Sequence, residues 1–190
     1  MLNMIKNIST TIISAIGYNL INYVNNLYYP PNLASNNVSL LHSILNSLSV
    51  CLFNFDNKVN YIRIISGGYF VYDTYYIIRH KKLNILQYSF IYHHLAVLYY
   101  IYTNPDIYSW VFGIPIVELC NIPTCIVYYY LKLNNIINRD KLIFWKKVQL
   151  IAYIIIRIPL STYILINDCS TFDKFKIVSP IIFLYILGLL

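Results

Sequence analysis

The sequence predicts an all-α, polytopic membrane protein of roughly six to seven transmembrane helices packed around a common interior. Three observations lead there. The 190 residues are 58% hydrophobic and only 11% charged, with a mean hydropathy of +0.57, which leaves too little polar surface to cover a soluble globule. The apolar residues fall into long runs separated by short polar or basic gaps. Within those runs lie His42, Asp73, His93, His94, Glu118 and Arg157, and an ionisable group in hydrocarbon needs a partner, a wet cavity or a function.

Seven runs can be marked along the chain. The first, 8–27, carries Asn19, Asn22, Asn25 and Asn26, so it either spans or lies in the interface. The runs 38–54, 62–79 and 88–103 reach spanning length with some flank, and 107–131 and 143–167 reach it unaided, a span needing about 20 residues. The seventh, 177–190, is short and ends in SPIIFLYILGLL with no polar tail, as expected of a stunted or curtailed helix. The chain therefore reads as an N-terminal segment with a weak first helix, 1–37, followed by a main domain, 38–190. The first run has one Lys, no clean apolar block and no small-residue cleavage site, so no cleavable signal is expected.

The net charge of +7 is carried largely by two gap clusters, Arg79, Lys81 and Lys82, then Arg139, Lys141, Lys146 and Lys147. Basic loops between spans account for these, and nucleic acid is not an expected partner. If all seven runs span, both clusters and Lys132 share one side, which the positive-inside rule assigns to the cytosol; the N-terminus is then lumenal and the C-terminus cytosolic. Asn7-Ile8-Ser9 becomes a lumenal glycosylation sequon close to the membrane. Cys120 and Cys125 read as small apolar fillers. Cys51 and Cys169 both approach the lumenal side, which leaves a disulfide between them open.

Polar residues inside the runs recur at helical spacing. His42, Asn46 and Ser49 share one face, as do Ser66, Tyr69, Asp73 and Tyr76, then Glu118, Asn121 and Cys125, then Tyr153, Arg157 and Ser161. Such stripes face away from lipid, so they are expected to converge. Three chemistries fit that interior unequally. A di-metal centre needs many more histidines than the four present. A single metal on His93 or His94 with Asp73 and Glu118 is disfavoured because adjacent helical residues point about 100° apart. A neutral imidazole acting as nucleophile or base beside a carboxylate needs only what is there, and the same groups serve equally as interhelical glue. For Arg157 the expected role is an ion pair with Glu118. Gly67-Gly68 is read as a close helix approach, and Pro115, Pro123 and Pro159 as kinks.

Taken in order, these residues resemble the TLC domain, the family of the translocating-chain-associating membrane proteins and the longevity-assurance ceramide synthases. The elements are His42-Ser43, Gly68-Tyr69-Phe70 with Asp73, Tyr92-His93-His94-Leu95-Ala96, Glu118 followed by Pro123, and Arg157-Ile158-Pro159, spread over residues 38 to 190. The resemblance implies a lipid-accessible cavity holding a long acyl chain, membrane lipids as partners, and residence in the endoplasmic reticulum or another internal membrane. In the ceramide synthase branch it further implies N-acyl transfer from acyl-CoA to a sphingoid base through the histidine pair, here His93 and His94. Asp73 and Glu118 are then the orienting carboxylates, and His42, Asn121 and Arg157 ligand-binding groups. That branch carries a second acid where this chain has Asn121, while the Gly-Tyr-Phe and Arg-Ile-Pro segments look like the smaller TLC-domain proteins linked to membrane lipid composition. The leading expectation is accordingly lipid binding or sensing, with acyl transfer as the alternative. No cofactor or metal is implied beyond acyl-CoA as a substrate, and homo-oligomerisation stays open.

Overall fold

The structure, a computed structural model, describes residues 2–52, 55–103, 108–132 and 139–167. Among the described residues there is no strand. The elements are α1 (Leu2–Asn26), α2 (Pro31–Leu52), α3 (Phe55–His80), α4 (Ile85–Thr103), α5 (Tyr108–Leu119), α6 (Asn121–Lys132), α7 (Arg139–Ala152), a π turn (Tyr153–Arg157) and α8 (Ile158–Asn167). The seventh run, 177–190, and Cys169 lie outside the described residues.

Helix ends follow local chemistry more than hydropathy. α2 begins seven positions before its apolar run because Pro31 occupies the first helical position, and the Pro30 carbonyl accepts the Leu33 and Ala34 amides at 2.8 and 2.9 Å. The 37/38 division read from the sequence therefore falls inside a continuous helix. α4 starts at Ile85 because the Asn84 side chain caps it, its Oδ1 accepting the Leu86 and Gln87 amides at 3.0 and 3.2 Å. The fifth run, expected as one span, is interrupted at Cys120. Pro123 has no N–H for the Leu119 carbonyl, and the Cys120 amide turns to Val117 O at 3.1 Å, tightening the end of α5. The sixth run widens into the π turn, where the Ile158 amide bonds Tyr153 O five residues back. Pro159 explains it: its ring would clash with the Ile155 carbonyl in a regular helix, and one extra residue in the turn relieves that.

α2 is the centre of the bundle, packing on α1 and α3 on one side and on α5 and α6 on the other. α1 lies mainly along α3, α4 flanks α3, α7 flanks α6, and α8 with the π turn leans on α5. The α1–α3 approach is close because α3 has no side chains there. A Cβ on Gly68 would come within 2.3 Å of Ser14 Oγ and 3.0 Å of the Ala15 nitrogen, and one on Gly67 within 3.0 Å of Tyr102 Oη. Small and polar residues of α1, Thr11, Ala15, Tyr18 and Asn22, make the buried stripe.

Large apolar side chains lie on the outside of several helices, while polar groups share the interior with an apolar core. α1 exposes Ile12, Ile13, Ile16 and Leu20, α2 exposes Ile44 and Leu48, α3 exposes Val71 and Ile78, and the rod from α7 to α8 exposes Ile143, Phe144, Ile151, Ile154 and Ile155. Buried beside the core residues Tyr18, Val38, Ile62, Phe70, Tyr72 and Ile101 are His42, Ser43, Asn46, Ser49, Ser66, His94 and Glu118. Among the described residues one stretch, Gly113–Lys132 through α5 and α6, is long and apolar enough by hydropathy to cross a membrane. In α2 and α3 the inward faces carry Ser43, Asn46, Ser49 and Ser66, which lower mean hydropathy, while Tyr75, Tyr88, Tyr92 and Tyr99 lower it from the outward faces of α3 and α4.

Candidate functional site

Two histidine–carboxylate pairs form within the bundle, on either side of Phe70. The first is built on Glu118, near the end of α5. Its Oε2 accepts hydrogen bonds from Ser43 Oγ at 2.9 Å and from Asn121 Nδ2 at 2.9 Å, and it faces His42 Nδ1 at 3.5 Å. One oxygen thus gathers α2, α5 and α6. The His42 ring is held from above by Tyr69, stacked at 3.8 Å between centroids and 11° between planes, and from the side by Phe70 at 5.7 Å. Asn46, one turn along α2, donates to His42 O at 3.1 Å, and its Oδ1 accepts from Ser66 Oγ of α3 at 2.8 Å.

Arg157 does not pair directly with Glu118, contrary to the sequence-based expectation. The π turn brings its Nη1 to Asn121 Oδ1 and to Tyr153 Oη at 3.2 Å, with the guanidinium 4.9 Å from the Tyr153 ring centre. Asn121 therefore stands between the two charges, accepting from the cation and donating to the carboxylate. An amide suits that position because it offers both a donor and an acceptor, which an acid does not.

The second pair joins α3 and α4. His94 Nε2 faces Asp73 Oδ2 at 3.6 Å, and its Nδ1 lies 3.2 Å from Thr74 Oγ1, so both ring nitrogens are engaged. A carboxylate beside Nε2 places the proton there and leaves Nδ1 to accept from the Thr74 hydroxyl. Phe70 covers the His94 ring at 5.2 Å. His93 turns elsewhere, as neighbouring helical residues must. It is half-buried, edges Phe70 at 6.3 Å, lies within the electrostatic reach of Arg157 and Glu118, and no hydrogen bond to a described residue fixes its ring.

Of the seven residues singled out from the sequence, His42, Glu118, Asn121 and Arg157 are thus joined in one chain of contacts. Asp73 and His94 form a second, and His93 stands beside both. Ser43, Tyr69, Phe70 and Thr74 contribute contacts that sequence reasoning did not assign. Helical spacing marks the face a residue occupies, and Tyr69 and Ser43 were on the marked faces or beside them, but spacing carries no signal for which partner each meets. Cys120 and Cys125 are buried free thiols, with Cys120 Sγ donating to Ala152 O at 3.5 Å, in keeping with packing. Among the described residues no cluster of three or more His, Cys, Asp or Glu has the geometry to hold a metal ion.

No protein-family model, curated protein or solved structure matches the chain. The likeness to TLC domains therefore rests on the ordered motifs, and the chemistry rests on the geometry above.

Proposed function

We propose that this chain is a multi-pass TLC-like membrane protein that binds or senses a lipid with a long acyl chain. The observation carrying this reading is the pairing of ionisable and amide groups with one another inside an all-helical bundle whose outside bears large apolar side chains, among them Ile13, Ile16, Leu20, Ile154 and Ile155. In water those outward apolar side chains face solvent, whereas in lipid they face hydrocarbon and the paired polar groups are kept from it. Interhelical bonds from small polar side chains fit the same environment, among them Asn36 Nδ2 to Cys125 O at 3.0 Å and Ser39 Oγ with Tyr69 Oη at 2.9 Å.

A groove of about 410 Å³ on the outside of α2, α5 and α6 supplies the apolar half of such a site. It is lined by Ile44, Leu48, Pro115, Ile116, Leu119 and Ile122 with Ser47 as its polar member. Ser47 Oγ bonds Ser43 O at 2.7 Å, so the groove lies one residue from the Glu118 network. A lipid tail in the groove would bring its head toward that network.

Acyl transfer is the second reading, favoured by the division of labour in the histidine pair. His94 is fixed by Asp73 and Thr74, and His93 beside it keeps an uncommitted ring. Intact mass measurement of the detergent-purified protein after incubation with a long-chain acyl-CoA separates the two. The binding reading expects retained lipid, no covalent adduct and no consumption of acyl-CoA. An acyl adduct that disappears in H93A/H94A would replace it with the transferase reading, the missing second acid at Asn121 then being tolerated. A chain that neither retains lipid nor reacts contradicts both.

A further inference from the structure

Among the described residues, six cations stand exposed at one end of the bundle: Arg79, Lys81 and Lys82 where α3 stops, Lys132 where α6 stops, and Arg139 and Lys141 where α7 starts. Bonds between helices bring those ends to the same side. Tyr76 Oη of α3 donates to Pro31 O at the start of α2 at 3.1 Å, Asn36 Nδ2 of α2 donates to Cys125 O of α6 at 3.0 Å, and Gln149 Nε2 of α7 donates to Thr124 Oγ1 of α6 at 3.2 Å. Asp140 is the acid among them, and within the described residues no carboxylate comes within ion-pair distance of any of the six.

The positive-inside rule accounts for the sign of these loops and not for what each cation rests on. Two of the lysines are seated on tyrosines. Lys81 Nζ lies 5.7 Å from the centre of the Tyr76 ring, and Lys132 Nζ lies 5.5 Å from that of Tyr128. The Tyr76 ring is buried at 4% exposure and tied to α2 through its hydroxyl, while the Lys81 amide bonds Ile77 O at 3.1 Å and so stays in the last turn of α3. Tyr76 and Tyr128 lie within electrostatic reach of each other, and α2 packs on both α3 and α6, so the two seats flank the start of α2. A lysine already resting on a ring has less freedom to lose when an anion arrives. The surroundings are apolar: Ile78, Leu83 and Ile85 are exposed beside the α3 cations, and Tyr28 and Tyr29 are exposed on the α1–α2 turn, where a membrane interface favours tyrosine. An anionic head on an apolar tail matches both features. We propose that Lys81 and Lys132 form a binding surface for the phosphate head group of an anionic phospholipid at the end of the bundle where α2 begins. The inference rests on the membrane reading and adds a second lipid contact, separate from the Glu118 network and from the groove along the later half of α2.

The test is native mass spectrometry of the full chain released from nanodiscs of phosphatidylcholine containing a minor share of phosphatidylglycerol. The wild type is expected to retain phosphatidylglycerol about twentyfold beyond its share of the bilayer, and K81Q and K132Q are each expected to lower that enrichment about fivefold, the worth of one lysine beside an anionic head group. K141Q removes the same charge from a lysine with no ring beneath it and should lower the enrichment by less than about twofold. All three lysines are exposed, so the substitutions leave the bundle folded. Retention in proportion to the bilayer share overturns the proposal and leaves the membrane reading intact. Equal losses in the three variants mean that net charge alone gathers the lipid, which overturns the two seats. Displacement of the lipid by millimolar inorganic phosphate makes a soluble phosphate the occupant and overturns the phospholipid. A folded chain that does not enter nanodiscs overturns both the binding surface and the membrane reading.

Discussion

Asn121 is the residue on which the charged network turns, because its amide is the only link between Arg157 and the Glu118 carboxylate among the contacts described. Replacing it with leucine leaves both charges without that partner and is expected to destabilise the protein by about 2 kcal/mol in a detergent thermal melt. N121D is expected to keep most of the stability, since the new carboxylate pairs with Arg157 directly, at the expense of a like charge beside Glu118. If N121L melts with the wild type, the relay is not structural. The residues of this network were legible in the sequence as ionisable groups on shared helical faces. Their pairing was not: Arg157 was expected on Glu118, and the π turn that aims it at Asn121 has no signature in periodicity. The His42–Glu118 pair was equally invisible, since the two lie 76 positions apart and nothing local connects them.

At the scale of the helices, two glycines provide opposite expectations, one inside the α1–α3 interface and one outside it. A Cβ at Gly68 would overlap Ser14 and press on the Ala15 backbone, so G68A should cost about 1–3 kcal/mol by forcing α1 from α3. A Cβ at Gly17 would meet nothing within 4 Å, so G17A should stabilise by about 0.5–1 kcal/mol through helix propensity alone. Equal melting shifts for both would show that α1 is not held where it stands. Pro159 makes a third case. P159A removes the reason for the π turn and should let it relax to a regular helix, rotating Arg157 away from Asn121; mixed-disulfide or spin-label distances between α6 and α8 would record the change. The apolar runs located the helices well but not their ends, because capping by Pro31 and Asn84 extends α2 and α4 into polar sequence that hydropathy reads as loop.

For the whole molecule, all-helical architecture follows directly from composition and run length, and the inward convergence of polar stripes follows from their spacing. What hydropathy alone understates is the outward face of α2, where averaging mixes Ser43, Asn46 and Ser49 that point inward with Ile44 and Leu48 that point outward. The proposed orientation places Lys82 in the cytosol and Asn7 in the lumen. A single cysteine at K82C should react with an impermeant maleimide in intact microsomes of the expected sidedness, and lumenal-side labelling would invert the topology.

The central claim, that the chain is a membrane bundle with a lipid in its structure, is tested most directly by native mass spectrometry of the wild-type protein released from nanodiscs. The account expects a stoichiometric adduct of lipid mass that survives mild activation and is lost when the bundle unfolds. A bare polypeptide mass, from protein still folded by its melting transition, would contradict it.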